Sequence, residues 1–227
     1  MVRRSNRYSG RSKSIYVAAA VVVVAIAVGA VYLATQGQGS GNKVFPLSIS
    51  AENPVLGSPG APYTIYQFGD FQCPTCDYWY KTQAQSVIQN LVDSGKAKLV
   101  WYDFIIYDSD SRLAANAAYA AGAQGKFWQF HDLLYANQGQ PNSGWVTQQL
   151  MISYALKLGL DATQFTQDMN SGRYNSLIDS NIQAGRQVGV QGTPTFFVVG
   201  PTGQYVTISG AQPESVFQQA INSLGGG

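Results

Sequence analysis

Cysteine occurs only twice in the 227 residues and histidine only once. Two thiols and one imidazole cannot supply the four nitrogen or sulfur ligands of a structural zinc site, and His131 in Phe127-Trp128-Gln129-Phe130-His131-Asp132 reads as a packing or surface residue. The acids are scattered, so no calcium site can be argued, and no internal repeat is evident. Basic residues are scarce beyond the start of the chain. Arg3, Arg4, Arg7, Arg11 and Lys13 lie in the first 14 residues, where there is no acid. Without those five, nine Lys and Arg face twelve Asp and Glu, a net charge of −3 that leaves nothing to suggest nucleic-acid binding.

Charge is missing altogether from residues 15–34, a Val- and Ala-rich run. Twenty apolar residues at about 1.5 Å each span the roughly 30 Å hydrocarbon core of a bilayer. The basic flank predicts a cytoplasmic N-terminus (1–14), a transmembrane signal anchor (15–34) and a body on the extracytoplasmic side of the cell membrane. The competing reading is a cleaved signal peptide, whose apolar region is usually about 7–15 residues long, and no clean small-x-small site follows the run. Both readings export the body. Gln36-Gly37-Gln38-Gly39-Ser40-Gly41-Asn42 reads as a flexible tether within a linker over 35–55, leaving one domain with a substantial core.

Both cysteines sit in Phe71-Gln72-Cys73-Pro74-Thr75-Cys76. Exported domains stabilised by disulfides carry several well-spaced pairs. A single pair closing a four-residue loop would give only about 2 kcal/mol by chain-entropy arithmetic, against about 4.7 kcal/mol for a hundred-residue loop. The pair is therefore better explained by chemistry than as a staple. A strand-like run, 63–68, leads into it, and a helix-like stretch, 77–93, leads away. That puts Cys73 at a helix start, with Pro74 in the first turn, where its missing N–H and fixed φ cost nothing. Unpaired N–H groups and the positive end of the helix dipole favour a thiolate there, lowering the pKa of Cys73. Cys76, one turn in, is expected to be the more buried partner. The pair reads as a redox dithiol.

A second strand at 97–106 predicts a parallel pair joined by a helix, a right-handed βαβ unit. Helical patterns follow at 111–124, 126–137, 146–158, 161–169 and 174–188. This is too much helix for one crossover and implies an inserted helical subdomain over about 110–188. Strands at 195–199 and 204–208 are joined by Gly200-Pro201-Thr202-Gly203, with hairpin composition, and a last helix covers 213–224.

This order, with an exported body over 56–227, resembles the α/β thioredoxin fold with an inserted α-helical subdomain found in the DsbA-like thiol:disulfide oxidoreductases. Residues 56–62, Phe68-Gly69-Asp70-Phe71-Gln72-Cys73-Pro74-Thr75-Cys76 and Gly192-Thr193-Pro194-Thr195-Phe196-Phe197-Val198 carry the resemblance, with Gly159-Leu160-Asp161 and Ser209-Gly210-Ala211 beside them. It implies that Thr193-Pro194 carries a cis bond beside the dithiol, and that the Thr193 backbone pairs with an extended substrate in the manner of strand addition. Cys73 and Cys76 are then catalytic, with Pro74, Thr75, Thr193 and Pro194 supporting them. Thr75 can offer a hydroxyl to a thiolate. No cofactor is implied beyond the redox pair itself. One departure stands out: family members often carry an acid six positions before the first cysteine, and Gln67 occupies that place. Asp70 is expected to make loop or cap hydrogen bonds instead.

The implied activity is a dithiol oxidase that introduces disulfides into reduced, unfolded exported proteins and is re-oxidised by a membrane partner of the DsbB or VKOR type. A membrane-tethered reductase or isomerase on the same fold is the alternative, and a metal or binding module a remote one. Potentials of couples on this kind of fold span about 150 mV, or about 7 kcal/mol, and the sequence does not fix a value within that span.

Overall fold

The computed structural model describes residues 44–225. The basic stretch, the apolar run and the Gln36–Asn42 tether lie outside them, and among the described residues no helix is long and apolar enough to cross a membrane. The frame is a five-stranded sheet: β1 (Val55–Leu56), β2 (Tyr63–Gly69), β3 (Ala97–Asp103), β4 (Thr195–Val199) and β5 (Tyr205–Ser209), in the order β1-β3-β2-β4-β5. β2 runs parallel to β3 and antiparallel to β4, so the expected βαβ unit and C-terminal hairpin are both present. The two-residue β1, antiparallel to β3, was too short to register as a pattern.

β2 is buried on both faces from Ile65 onward. Ile65 packs with Leu91, Phe196 and Phe217, while Tyr66 and Phe68 pack on the other face with Val100 and Phe197. Alternation along a strand sends Gln67 to the face of Ile65, beneath the helix that carries the cysteines.

That helix starts after Cys73 with Pro74 in its first turn, as the sequence suggested. α1 (Pro74–Trp79) runs on through a π-helical turn (Tyr80–Ala84), the short α2 (Gln85–Val87) and a second π-helical stretch (Ile88–Val92). The apolar spacing explains the irregularity. Trp79 and Ala84 are both buried yet lie five residues apart, a spacing that puts them on different sides of an α-helix and that a wider π turn brings back to one side.

The insertion comprises α3 (Asp108–Gly122), α4 (Phe127–Ala136), α5 (Gln148–Lys157), α6 (Ala162–Asn170) and α7 (Asn175–Gln187). α3 is its central element, because alanines such as Ala114, Ala117, Ala118 and Ala121 allow neighbours to approach on most sides. Asp161 caps α6 by accepting from the N–H groups of Thr163 and Gln164. The closing helix is α8 (Glu214–Gly225), whose Phe217 and Ile221 cover the sheet.

The expectation of a linker reaching residue 55 needs correction. Phe45 donates its N–H to Gly203 O at 2.9 Å and places its ring 4.7 Å from Tyr66 and 5.1 Å from Phe197. Asn53 is buried and donates to Trp101 O and Asn181 Oδ1. One aromatic side chain and one buried amide tie residues 44–55 to the fold, and neither produces periodicity.

Candidate functional site

The site is assembled where β2 ends. Asp70 is buried, and its carboxylate accepts from the N–H groups of Gln72 (2.8 Å), Ile106 (2.7 Å) and Tyr107 (3.1 Å) and from Ser111 Oγ (2.6 Å). The loop role expected of Asp70 is therefore filled four times over. Gln72 is fully enclosed: its Nε2 donates to Tyr107 O at 2.9 Å and to Ser111 Oγ at 3.0 Å, and its Oε1 accepts from Asn142 N at 2.9 Å. Gln138 Nε2 donates to Phe71 O at 2.8 Å and Cys73 O at 3.2 Å. The residues before Cys73 are thus held on one side by the insertion.

Cys73 caps α1, with extended backbone (φ −72°, ψ 118°) and Pro74 in the first turn. Its sulfur accepts from Cys76 N–H at 3.4 Å and lies 3.2 Å from Thr193 O. The Thr193-Pro194 peptide is cis, as the resemblance implied. Pro194 O accepts from Gly210 N–H at 2.8 Å, which fastens this corner to the end of β5. All six residues singled out in the sequence therefore meet at one place. Pro74 and Thr75 are exposed there, and both cysteines are buried, Cys76 slightly more deeply.

The two thiols, both free, are pushed apart electrostatically. A hydrogen bond from the Cys76 side chain brings the Cys73 pKa down to about 6, helped by the Thr193 side chain and the N–H groups of Cys76 and Thr75 against the opposing effect of burial. Thr75 thus acts through its backbone rather than through the hydroxyl expected from the sequence. Burial pushes Cys76 well upward, reinforced by the hydrogen bond and charge of Cys73. The arrangement holds one thiolate-forming sulfur beside Thr193 O and one reluctant, slightly more deeply buried sulfur behind it.

Gln67 lies below, 1% exposed, with its Oε1 unpartnered. The nearest acid on the neighbouring strand is Asp103, paired in register with Gly69. Burial raises its pKa, and its oxygens accept from Trp101 Nε1 (3.1 Å), Tyr119 Oη (2.6 Å) and Asn181 Nδ2 (3.0 Å). His131 is a packing residue: its ring lies 5.2 Å from Trp101, 5.1 Å from Trp128 and 4.9 Å from Tyr135, with Nδ1 3.0 Å from Asp132 Oδ1. Gln72, Gln138 and Tyr135 went unnoticed in the sequence, because a lone amide or phenol in a loop or helix carries no spacing signal.

A family model described as thioredoxin matches residues 50–221. The chain belongs to that family. Within it, the chain is a DsbA-like protein disulfide oxidoreductase. It is 30% identical over 183 residues to a probable disulfide bond formation protein D of Bacillus cereus, covering 79% of this chain and 83% of that one. Oxidised BdbD from Bacillus subtilis shares the fold with a TM-score of 0.68 at 23% identity, over 76% of this chain and 92% of that chain. α-DsbA1 from Wolbachia pipientis does so with a TM-score of 0.70 at 20% identity, over 78% and 93%. The DsbA-like chain thus keeps the fold of these proteins with glutamine at position 67.

Proposed function

We propose that this DsbA-like chain works as a dithiol oxidase, passing the Cys73–Cys76 disulfide to reduced exported proteins. A substrate thiolate bonds to Cys73 Sγ, the Cys73–Cys76 bond breaks, and its electron pair leaves on Cys76. The substrate's second thiol, once deprotonated by solvent, then attacks its own sulfur in the mixed disulfide. Cys73 departs as a thiolate, so the substrate has lost two electrons and the dithiol has gained them. A sulfur with a pKa brought down to about 6 is a good leaving group in that second step, and this observation carries the reading. Thr193 O beside Cys73 supports a substrate lying extended along the cis-proline corner.

The uncharged run 15–34 behind five basic residues supports a single-pass anchor with the catalytic domain on the extracytoplasmic side. Turnover then needs a membrane re-oxidant of the DsbB or VKOR type, since each cycle leaves the dithiol reduced. The test is to mix the oxidised chain with a reduced, unfolded dithiol protein and trap free thiols over time. Stoichiometric loss of substrate thiols matched by gain at Cys73 and Cys76 is expected. No transfer, or transfer in the opposite direction, would overturn the reading.

A further inference from the structure

The opening of the disulfide creates a thiolate in the least favourable place in the site. Cys76 is 1% exposed, and burial disfavours its charged form. Position 67 holds no carboxylate to manage the proton. The two buried acids nearby are committed elsewhere: Asp70 to three N–H groups and Ser111, Asp103 to Trp101, Tyr119 and Asn181. The Asp70 N–H eases the charge on Cys76 from the loop side, and the buried Thr193 hydroxyl, which has no hydrogen-bond partner among the described residues of the reduced site, does so from the cis-proline side.

From the insertion, α4 sends a third group. Tyr135 is fully buried, its ring stacked on Tyr80 at 5.4 Å, 5.5 Å from Phe71 and edge-on to His131 at 4.9 Å. Its hydroxyl donates at 3.1 Å to Asp70 O, a carbonyl that already receives the Cys73 N–H at 3.0 Å, and Tyr135 and Cys76 belong to the same buried cluster. Burial raises the Tyr135 pKa, and the charge of Cys76 adds to the rise. Because Asp70 O keeps a second donor in the Cys73 N–H, the tyrosine hydroxyl can turn from it toward the sulfur without stranding that carbonyl.

We propose that Tyr135 is the hydrogen-bond donor that receives the buried Cys76 thiolate when the Cys73–Cys76 disulfide opens, in a site where position 67 supplies no acid. The inference rests on the dithiol chemistry above. The substrate sulfur forms its bond to Cys73 Sγ and is oxidised; the Cys73–Cys76 bond breaks and Cys76 is reduced, taking the electron pair. The Tyr135 O–H turns from Asp70 O to Cys76 Sγ and holds the charge while its own proton stays on oxygen. A proton from solvent then converts Cys76 to the thiol, and Tyr135 returns to Asp70 O.

The test measures how fast reduced glutathione opens the disulfide in the oxidised full chain, by quenched thiol trapping. Tyr135→Phe is expected to slow this step about ten-fold, the loss of one hydrogen bond to a charged group. Tyr119→Phe, which removes a buried hydroxyl from Asp103 instead, leaves the rate unchanged, and the Cys73 titration midpoint stays put in both. A parental rate in Tyr135→Phe, or equal slowing in the two variants, overturns the inference. Should Tyr135→Phe fail to fold, 3-fluorotyrosine at position 135 keeps the shape and is a stronger donor. It then accelerates the step at pH 6, and an unchanged or slower rate overturns the inference. A reducing potential in the parent chain would sink the oxidase assignment yet leave these rate ratios intact, so the two failures are separable.

Discussion

The sulfur of Cys73 lies 3.2 Å from the carbonyl oxygen of Thr193, 120 residues further along the chain. This contact joins the two halves of the fold on either side of the helical insertion. It also places the Thr193 backbone beside the reactive sulfur. A substrate strand that pairs with Thr193 therefore presents its own cysteine to Cys73 rather than to buried Cys76.

The ionisation of Cys73 depends most on its partner, because the Cys76 side-chain hydrogen bond is the largest cause of the lowered pKa. Thiolate absorbance of the reduced protein should titrate with a midpoint near 6. In Cys76→Ala the midpoint should move upward, toward that of an ordinary thiol. An unmoved midpoint would place the cause elsewhere.

Stability should depend on pH differently in the two redox states. The native Cys73 pKa of about 6 lies below that of an unfolded thiol, about 8.5. Between those values the unfolded reduced chain binds one more proton than the native chain, so reduced-state stability rises with pH. The contribution is fully present above the unfolded value and is lost as pH falls through 6. The oxidised form has no such thiol. Urea midpoints at pH 6 and pH 7.5 should show the reduced value gaining on the oxidised one; in that range Cys76, whose native pKa is pushed up, stays largely protonated in both the native and the unfolded chain. A constant difference would contradict the depressed pKa.

Asp70 gathers four donors from three segments of chain. Asp70→Ala strands buried N–H groups at Gln72, Ile106 and Tyr107, and each unsatisfied donor costs about 1–3 kcal/mol before relaxation. A loss of about 3 kcal/mol in urea unfolding of the reduced protein is expected. A loss below about 1 kcal/mol would mean that water replaces the carboxylate freely.

Phe45 tests whether residues 44–55 belong to the domain. Its ring is packed against Tyr66, Phe197 and Tyr205. Phe45→Ala should cost about 3 kcal/mol, as truncation of a buried phenylalanine does. A linker residue would cost almost nothing.

These residues also mark how much could be read in advance. The strand before Cys73 and the helix after it follow from local chemistry, a β-branched run and a proline tolerated in a first helical turn, whereas the Thr193-Pro194 corner beside the dithiol was implied by the family resemblance. The π turns after Trp79 were hidden because a spacing of five looks like noise until the packing is known. Gln72, Gln138 and Tyr135 tie the site together through hydrogen bonds across 35 to 70 residues of sequence, and no local pattern encodes such a reach. The packing of Phe45 against β2, β4 and β5 was invisible for the same reason.

The central claim is that Cys73–Cys76 donates disulfides. Its most direct test is the equilibrium of the reduced and oxidised chain with glutathione, read by the fraction of trapped thiol. The account predicts a potential toward the oxidising end of this fold's span of about 150 mV, with the dithiol form favoured. A potential near that of thioredoxin, about −270 mV, would contradict it and make the chain a reductase.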